Sequence, residues 1–117
     1  MVNMNRKKKQ ENYLERRPMR VSEIVWSLEK GGTVTLHLRN RGLFHRAAQL
    51  ILNRQRISHV KLDALGSLVW TLADGEKNLL QLGQMVRERF GASAEPLYER
   101  LVLFMNTLEE CRLIQWR

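Results

Sequence analysis

The chain has 117 residues, 44% of them hydrophobic and 27% charged, which suits one globular domain with a single modest core. One cysteine, Cys111, excludes an intramolecular disulfide, and no apolar run approaches the roughly 20 residues of a membrane span. The net charge of +8 is gathered at the front: residues 1–20 carry seven Lys/Arg against two Glu, so most of the excess belongs to a tail.

Residues 1–20 are polar, basic and without a clean period. They read as a mobile arm, or as an arm that steers an acidic partner until salt screens it beyond ~8 Å. Arg6-Lys7-Lys8-Lys9 has the charge of a signal-peptide start, but Gln10-Glu11-Asn12 follows where an apolar stretch is needed, so cytoplasm is expected. Residues 21–117 then read as one domain. Ile24, Trp26 and Leu28 alternate with polar residues, Lys30-Gly31-Gly32 turns the chain, and Val34, Leu36 and Leu38 alternate again. This predicts a β-hairpin with one buried face. No Gly-Lys-Ser/Thr follows Gly31-Gly32, so the pair is a turn and not part of a phosphate loop.

Leu43, Ala47, Leu50 and Ile51 have helical spacing and predict an inserted helix over about 43–53, studded with arginines. Those arginines read as a solvated face or as a basic patch for an anion. Residues 57–62 alternate and predict a strand that no proline or bulge protects. Asp63 is an N-cap, Leu65, Leu68, Val69 and Leu72 form an apolar stripe, and Asp74-Gly75 stops the helix. Asn78 caps a second helix with Leu79, Leu82, Val86 and Phe90 on one face, and Gly91 ends it. Two short capped helices joined tightly form the front half of a helix-turn-helix. Pro96 opens a third helix whose core stripe is Leu97, Leu101, Phe104, Met105, Leu108 and Cys111, with Leu103 and Thr107 pointing elsewhere. Leu113, Ile114 and Trp116 close the chain as a short strand or packed tail.

Leu62-Asp63, the run Trp70-Thr71-Leu72-Ala73-Asp74-Gly75 and Leu79-Leu80-Gln81-Leu82 resemble the pyrroloquinoline quinone biosynthesis protein D family, whose members share a small winged helix-turn-helix used to recognise ribosomally made, modified peptides. The resemblance covers roughly residues 57–116. The family often has Asn where this chain has Asp63, and Thr where it has Asn78; both swaps keep an N-cap. The basic amino-terminal segment has no counterpart in short members. The fold class implied is α+β, a winged helix-turn-helix with an amino-terminal antiparallel hairpin and a three-helix bundle.

Catalytic chemistry is not legible. His37, His45 and His59 fall on different predicted elements and have no metal-ligand spacing, so neither a metal nor another cofactor is expected. Cys111, in a core stripe, is a poor nucleophile. Glu109-Glu110 diverge by about 100° on a helix and cannot flank one bond. No nucleophile elbow, P-loop or dinucleotide fingerprint occurs, so an enzyme is not expected.

Two functions compete. A winged helix-turn-helix invites DNA binding or transcription regulation, but the third helix, 95–110, sets four Glu against Arg100 alone and would repel phosphate. Only weak, sequence-indifferent nucleic-acid binding by the arm is expected. The resemblance implies instead that a leader peptide adds as a strand beside 57–62 and lies along the third helix. The groove would be walled by His59, Val60, Lys61 and Leu62, and by Arg100, Leu103, Phe104 and Thr107. Such a chain would act as a chaperone that passes a precursor peptide to a radical S-adenosylmethionine enzyme. A free edge also predicts a homodimer at high concentration.

Overall fold

The computed structural model describes residues 13–39 and 57–117. The inserted helix expected over 43–53, with His45 and its arginines, lies outside the described residues, as does the front of the arm through residue 12.

Among the described residues five strands and three α-helices follow one another: β1 Pro18–Arg20, β2 Val25–Leu28, β3 Val34–Arg39, β4 Ile57–Lys61, α1 Ala64–Leu72, α2 Leu79–Phe90, α3 Leu97–Glu110 and β5 Ile114–Trp116, with a 3-10 turn, Gly91–Ala94, between α2 and α3. The strands make two antiparallel sheets, one of β2, β3 and β4 in that order and one pairing β1 with β5. The architecture is therefore α+β with an amino-terminal hairpin.

The hairpin turns where two glycines are needed. Gly31 and Gly32 both sit at φ +88°, a conformation that costs glycine little. Glu29 N–H donates to Thr33 O at 2.7 Å and closes the loop. Register then sets Trp26 opposite Leu36 and Leu28 opposite Val34. Val34, Leu36 and Leu38 are buried, whereas Leu28, at the rim beside the turn, is exposed.

The helices begin where their caps dictate. Asp63 Oδ1 accepts from Gly66 N–H at 2.7 Å at the start of α1. Asn78 and Gln81 form a reciprocal capping box at the start of α2, at 2.8 Å each way. Gly91, at φ 60°, ends α2. The stripe expected on α1 packs on the core, with Leu68 and Leu72 half-buried, and Trp70, outside that stripe, is buried completely. Trp70 stands edge-on to Trp26 with ring centroids 6.2 Å apart, so α1 is gripped between the hairpin and the other helices. Burying one such large side chain is worth roughly 1.5–3 kcal/mol or more. On α3 the core stripe is Leu97, Leu101, Met105 and Leu108, with Phe104 and Cys111 half-buried at its margin. Cys111 sits at the C-cap of α3, where burial, followed by the charge of Glu110, pushes its thiol up.

The expectation that the arm runs to residue 20 also needs correcting, since residues 13–20 pack on the domain. β1 pairs with β5, Gly75 N–H donates to Pro18 O at 2.9 Å and Leu79 N–H to Arg16 O at 3.1 Å. Arg16 lies over the Trp116 ring at 4.1 Å, and Tyr13 Oη donates to Asn106 on α3 at 3.0 Å. A guanidinium stacked on an aromatic face is held by its apolar contact as well as by charge, so basic composition did not keep this stretch in solvent.

Candidate functional site

β4 is the last strand of its sheet, and among the described residues no strand pairs with its outer edge. Which groups it offers there follows from its register. Leu62 N–H donates to Val34 O at 2.9 Å, so the amides of Val60 and Leu62 point toward β3, and those of His59 and Lys61 point the other way. The side chains alternate too. Val60, opposite Leu36, belongs to the core-side row yet is 39% exposed, while His59 and Lys61 project from the opposite face and are exposed.

The passage from β4 into α1 is fixed by Ser67, which is 1% exposed. Its hydroxyl accepts from Val34 N–H at 2.8 Å and donates to Leu62 O at 3.3 Å, tying β3, the end of β4 and the first turn of α1 together. One residue earlier, Gly66 makes room for α3. A Cβ at that position would lie 3.0 Å from Asp63 Oδ1 and 3.2 Å from Phe104 Cζ. The Phe104 ring of α3 therefore rests on the start of α1.

On α3, residues 104, 100, 107 and 103 succeed one another around about 100° of the helix, running away from the core stripe. Leu103, at the far end of that arc, is 67% exposed. Thr107 Oγ1 donates back to Leu103 O at 3.0 Å, and Arg100 Nη1 donates to Ser93 O at 3.0 Å and Ala94 O at 3.2 Å. Arg100 thus clamps the end of the 3-10 turn. The exposed apolar side chains of these two elements are Val60 on β4 and Leu103 on α3, and the outer edge of β4 carries outward amides at His59 and Lys61.

The chain spacing conceals one cluster. His37 and His59, expected on unrelated elements, are directly opposite each other in β3 and β4. This is a non-hydrogen-bonded pair, in which side chains come closest. Their Nδ1 atoms are 2.8 Å apart and the rings are edge to face. Ser27 Oγ lies 2.9 Å from His37 Nε2 and 3.3 Å from Glu29 Oε2. The only hint in the sequence is that both histidines fall on polar positions of alternating strands. Among the described residues no three His, Cys, Asp or Glu side chains gather as a metal site.

The chain is thus a small α+β domain in which, among the described residues, no strand pairs with the outer edge of β4. Residues 32–114 match the family model of coenzyme PQQ synthesis protein D, and the chain belongs to that family. No curated protein and no solved structure matches it.

Proposed function

We propose that this chain is a non-catalytic recognition protein that binds the leader of a ribosomally made precursor peptide by adding it as a strand to β4. It presents that peptide to a modifying enzyme of the radical S-adenosylmethionine class, in the cytoplasm. The observation that carries this reading is the outer edge of β4, with its amides at His59 and Lys61 turned outward and Val60 exposed on the same strand. Strand addition supplies affinity through the backbone, and the side chains beside the edge sort alternate positions of the ligand. The family name ties its members to synthesis of a coenzyme, which agrees with an accessory role in biosynthesis. In this reading the helices and the β2–β3 hairpin are a winged helix-turn-helix turned from nucleic acid to peptide. Glu99, Glu109 and Glu110 on the exposed side of α3 suit that change of ligand, since they would oppose phosphate.

The test is chemical-shift mapping of the full chain with the leader of a precursor encoded beside its gene. Shifts should gather on 57–62 and on α3. Leu103→Glu should leave stability within about 0.5 kcal/mol, as exposed helical sites do, while weakening the peptide. Lys61→Pro should remove an outward donor while sparing the bonds to β3. Shifts confined to other surfaces, with both variants binding normally, would overturn the reading.

A further inference from the structure

On the β2 side of the sheet, across β3 from the free edge of β4, the segment from β1 to β2 meets the turn after α1 around a cavity of about 300 Å³. At roughly 30 Å³ per water-sized group this is room for about ten non-hydrogen atoms, the small end of ligand sites. Its apolar walls include Val21, Ile24, Trp26 and Ala73. Half-buried Arg20 lines it as well. A guanidinium has five N–H groups. Arg20 Nη1 donates to Trp70 O at 2.8 Å and Thr71 O at 2.9 Å, carbonyls that carry only the partial charge of a helix C-terminus. Among the described residues nothing accepts from its Nε or Nη2, and none of the ion pairs includes it. The Nε–Nη2 edge, a fork that matches a carboxylate, is therefore unspent. The other charge on the wall, Asp74, is already engaged: it accepts from Lys77 Nζ at 2.8 Å and from Glu76 N–H at 2.9 Å. Arg20, Lys77 and Asp74 together leave one positive charge here, and a half-buried charge without a counter-charge favours a ligand that brings one.

We propose that this cavity binds a small carboxylate with an apolar body, the carboxylate on the Nε–Nη2 fork of Arg20 and the body against Val21, Ile24 and Trp26. The space is too small for a strand of peptide, and a bare phosphate or sulfate would leave the apolar walls unused. The guanidinium is held before the ligand arrives, by the end of α1 at Nη1 and by the Trp26 ring, whose centre lies 5.3 Å from Cζ. A fork fixed in advance loses little freedom on binding. The run Trp70 to Gly75, which has no part in the edge of β4, supplies the carbonyls that hold Arg20 and, through Ala73 and Asp74, part of the cavity wall. The site stands apart from strand addition, and neither needs the other.

The probes are phenylacetate, which is about the size of the cavity, its uncharged isostere phenylacetamide, phenethylamine and acetate. Each is titrated into the full chain at neutral pH by calorimetry and by amide shift mapping. Phenylacetate should saturate with shifts at residues 19–26 and 73–75 and at the Trp26 indole. It should bind about 5–10-fold tighter than phenylacetamide, the margin of a charge-assisted over a neutral hydrogen bond. Acetate, without a body, and phenethylamine, with the wrong charge, should bind weakest. Arg20→Lys keeps the cation and loses the fork, so the margin over the amide should shrink. Because Arg20 also secures α1, a second variant is placed outside the core: Ser22, exposed on the cavity wall, becomes Phe. Ser22→Phe should fill the mouth and abolish binding while the melting temperature holds. Asp74→Asn lifts a like charge and should tighten phenylacetate about 1.5–5-fold. Equal binding of phenylacetate and phenylacetamide, shifts that miss 19–26 and 73–75, or undiminished binding in Ser22→Phe overturns the inference. Strand addition is read separately, at 57–62.

Discussion

Ser67 shows how much one hydroxyl can organise. It is buried, it satisfies the amide of Val34, and it reaches the carbonyl of Leu62. Ser67→Ala would leave that buried N–H without an acceptor, at a cost of about 1–3 kcal/mol. Denaturant unfolding should show the loss, and hydrogen exchange should show it concentrated at Val34 and at the start of α1. Gly66 is the complementary case, where a missing side chain is what matters. Gly66→Ala would press a methyl against the Asp63 carboxylate and the Phe104 ring, so the ring must shift or α1 and α3 must part. An overpacking cost of about 1–3 kcal/mol is expected, together with a changed environment for Phe104 that ring proton shifts would report.

At the scale of elements, β1 acts as a strap across the turn between α1 and α2. Arg20 Nη1 donates to Trp70 O at 2.8 Å and Thr71 O at 2.9 Å, carbonyls at the end of α1, while its guanidinium lies 5.3 Å from the centre of the Trp26 ring. Arg20→Ala should cost about 1.5–3 kcal/mol, the range for hydrogen bonds to a charged group. Arg20→Lys should recover only part, because an ammonium cannot stack and fork in the same way. In the same turn Asp74 accepts from Lys77 Nζ at 2.8 Å and from Glu76 N–H at 2.9 Å. The lysine bond, followed by the backbone bond, holds its carboxyl below the ordinary 3.8. A lowered carboxyl stabilises the fold at pH values above its unfolded value and loses that contribution as pH falls through its folded value. Asp74→Asn should therefore cost a little at neutral pH and nothing in strong acid, and the effect should be small because the group is solvent-screened. Acid titration of both proteins checks the sign. These local devices were partly legible: Asp63, Asn78 and Gly91 announce helix ends because capping involves only residues a few positions apart. β1 was not, because its partner lies about a hundred residues along and its basic composition resembles a solvated tail.

For the molecule as a whole, the readable part of the sequence was the hairpin and the run from β4 to α3, and the unreadable part was what meets across the sheet. His37 and His59 become neighbours only through the register of β3 and β4, which no spacing within either strand encodes. Trp70 likewise drops out of a simple stripe, since α1 is covered from more than one side. The edge of β4 has a further expected outcome at this scale. If it accepts a strand, it also accepts its own copy, so a dimer should form at high protein concentration and dissolve as a leader peptide is added. Sedimentation with and without peptide measures both, and a strict monomer throughout would exclude self-pairing.

The pairing of β1 with β5 brings residue 117 one hydrogen bond from the segment that leads into the first strand, with Arg117 N–H donating to Arg17 O at 2.8 Å. The order in which the segments are strung is then separable from the way they pack. A circular permutant that joins these ends through a short Gly/Ser linker and opens the backbone between Gly31 and Gly32, at an exposed turn, should refold to the same body. Its new termini would lie at the hairpin tip. A tag or enzyme appended there would approach the domain from another direction than one appended at residue 117, which turns attachment geometry into something that can be chosen.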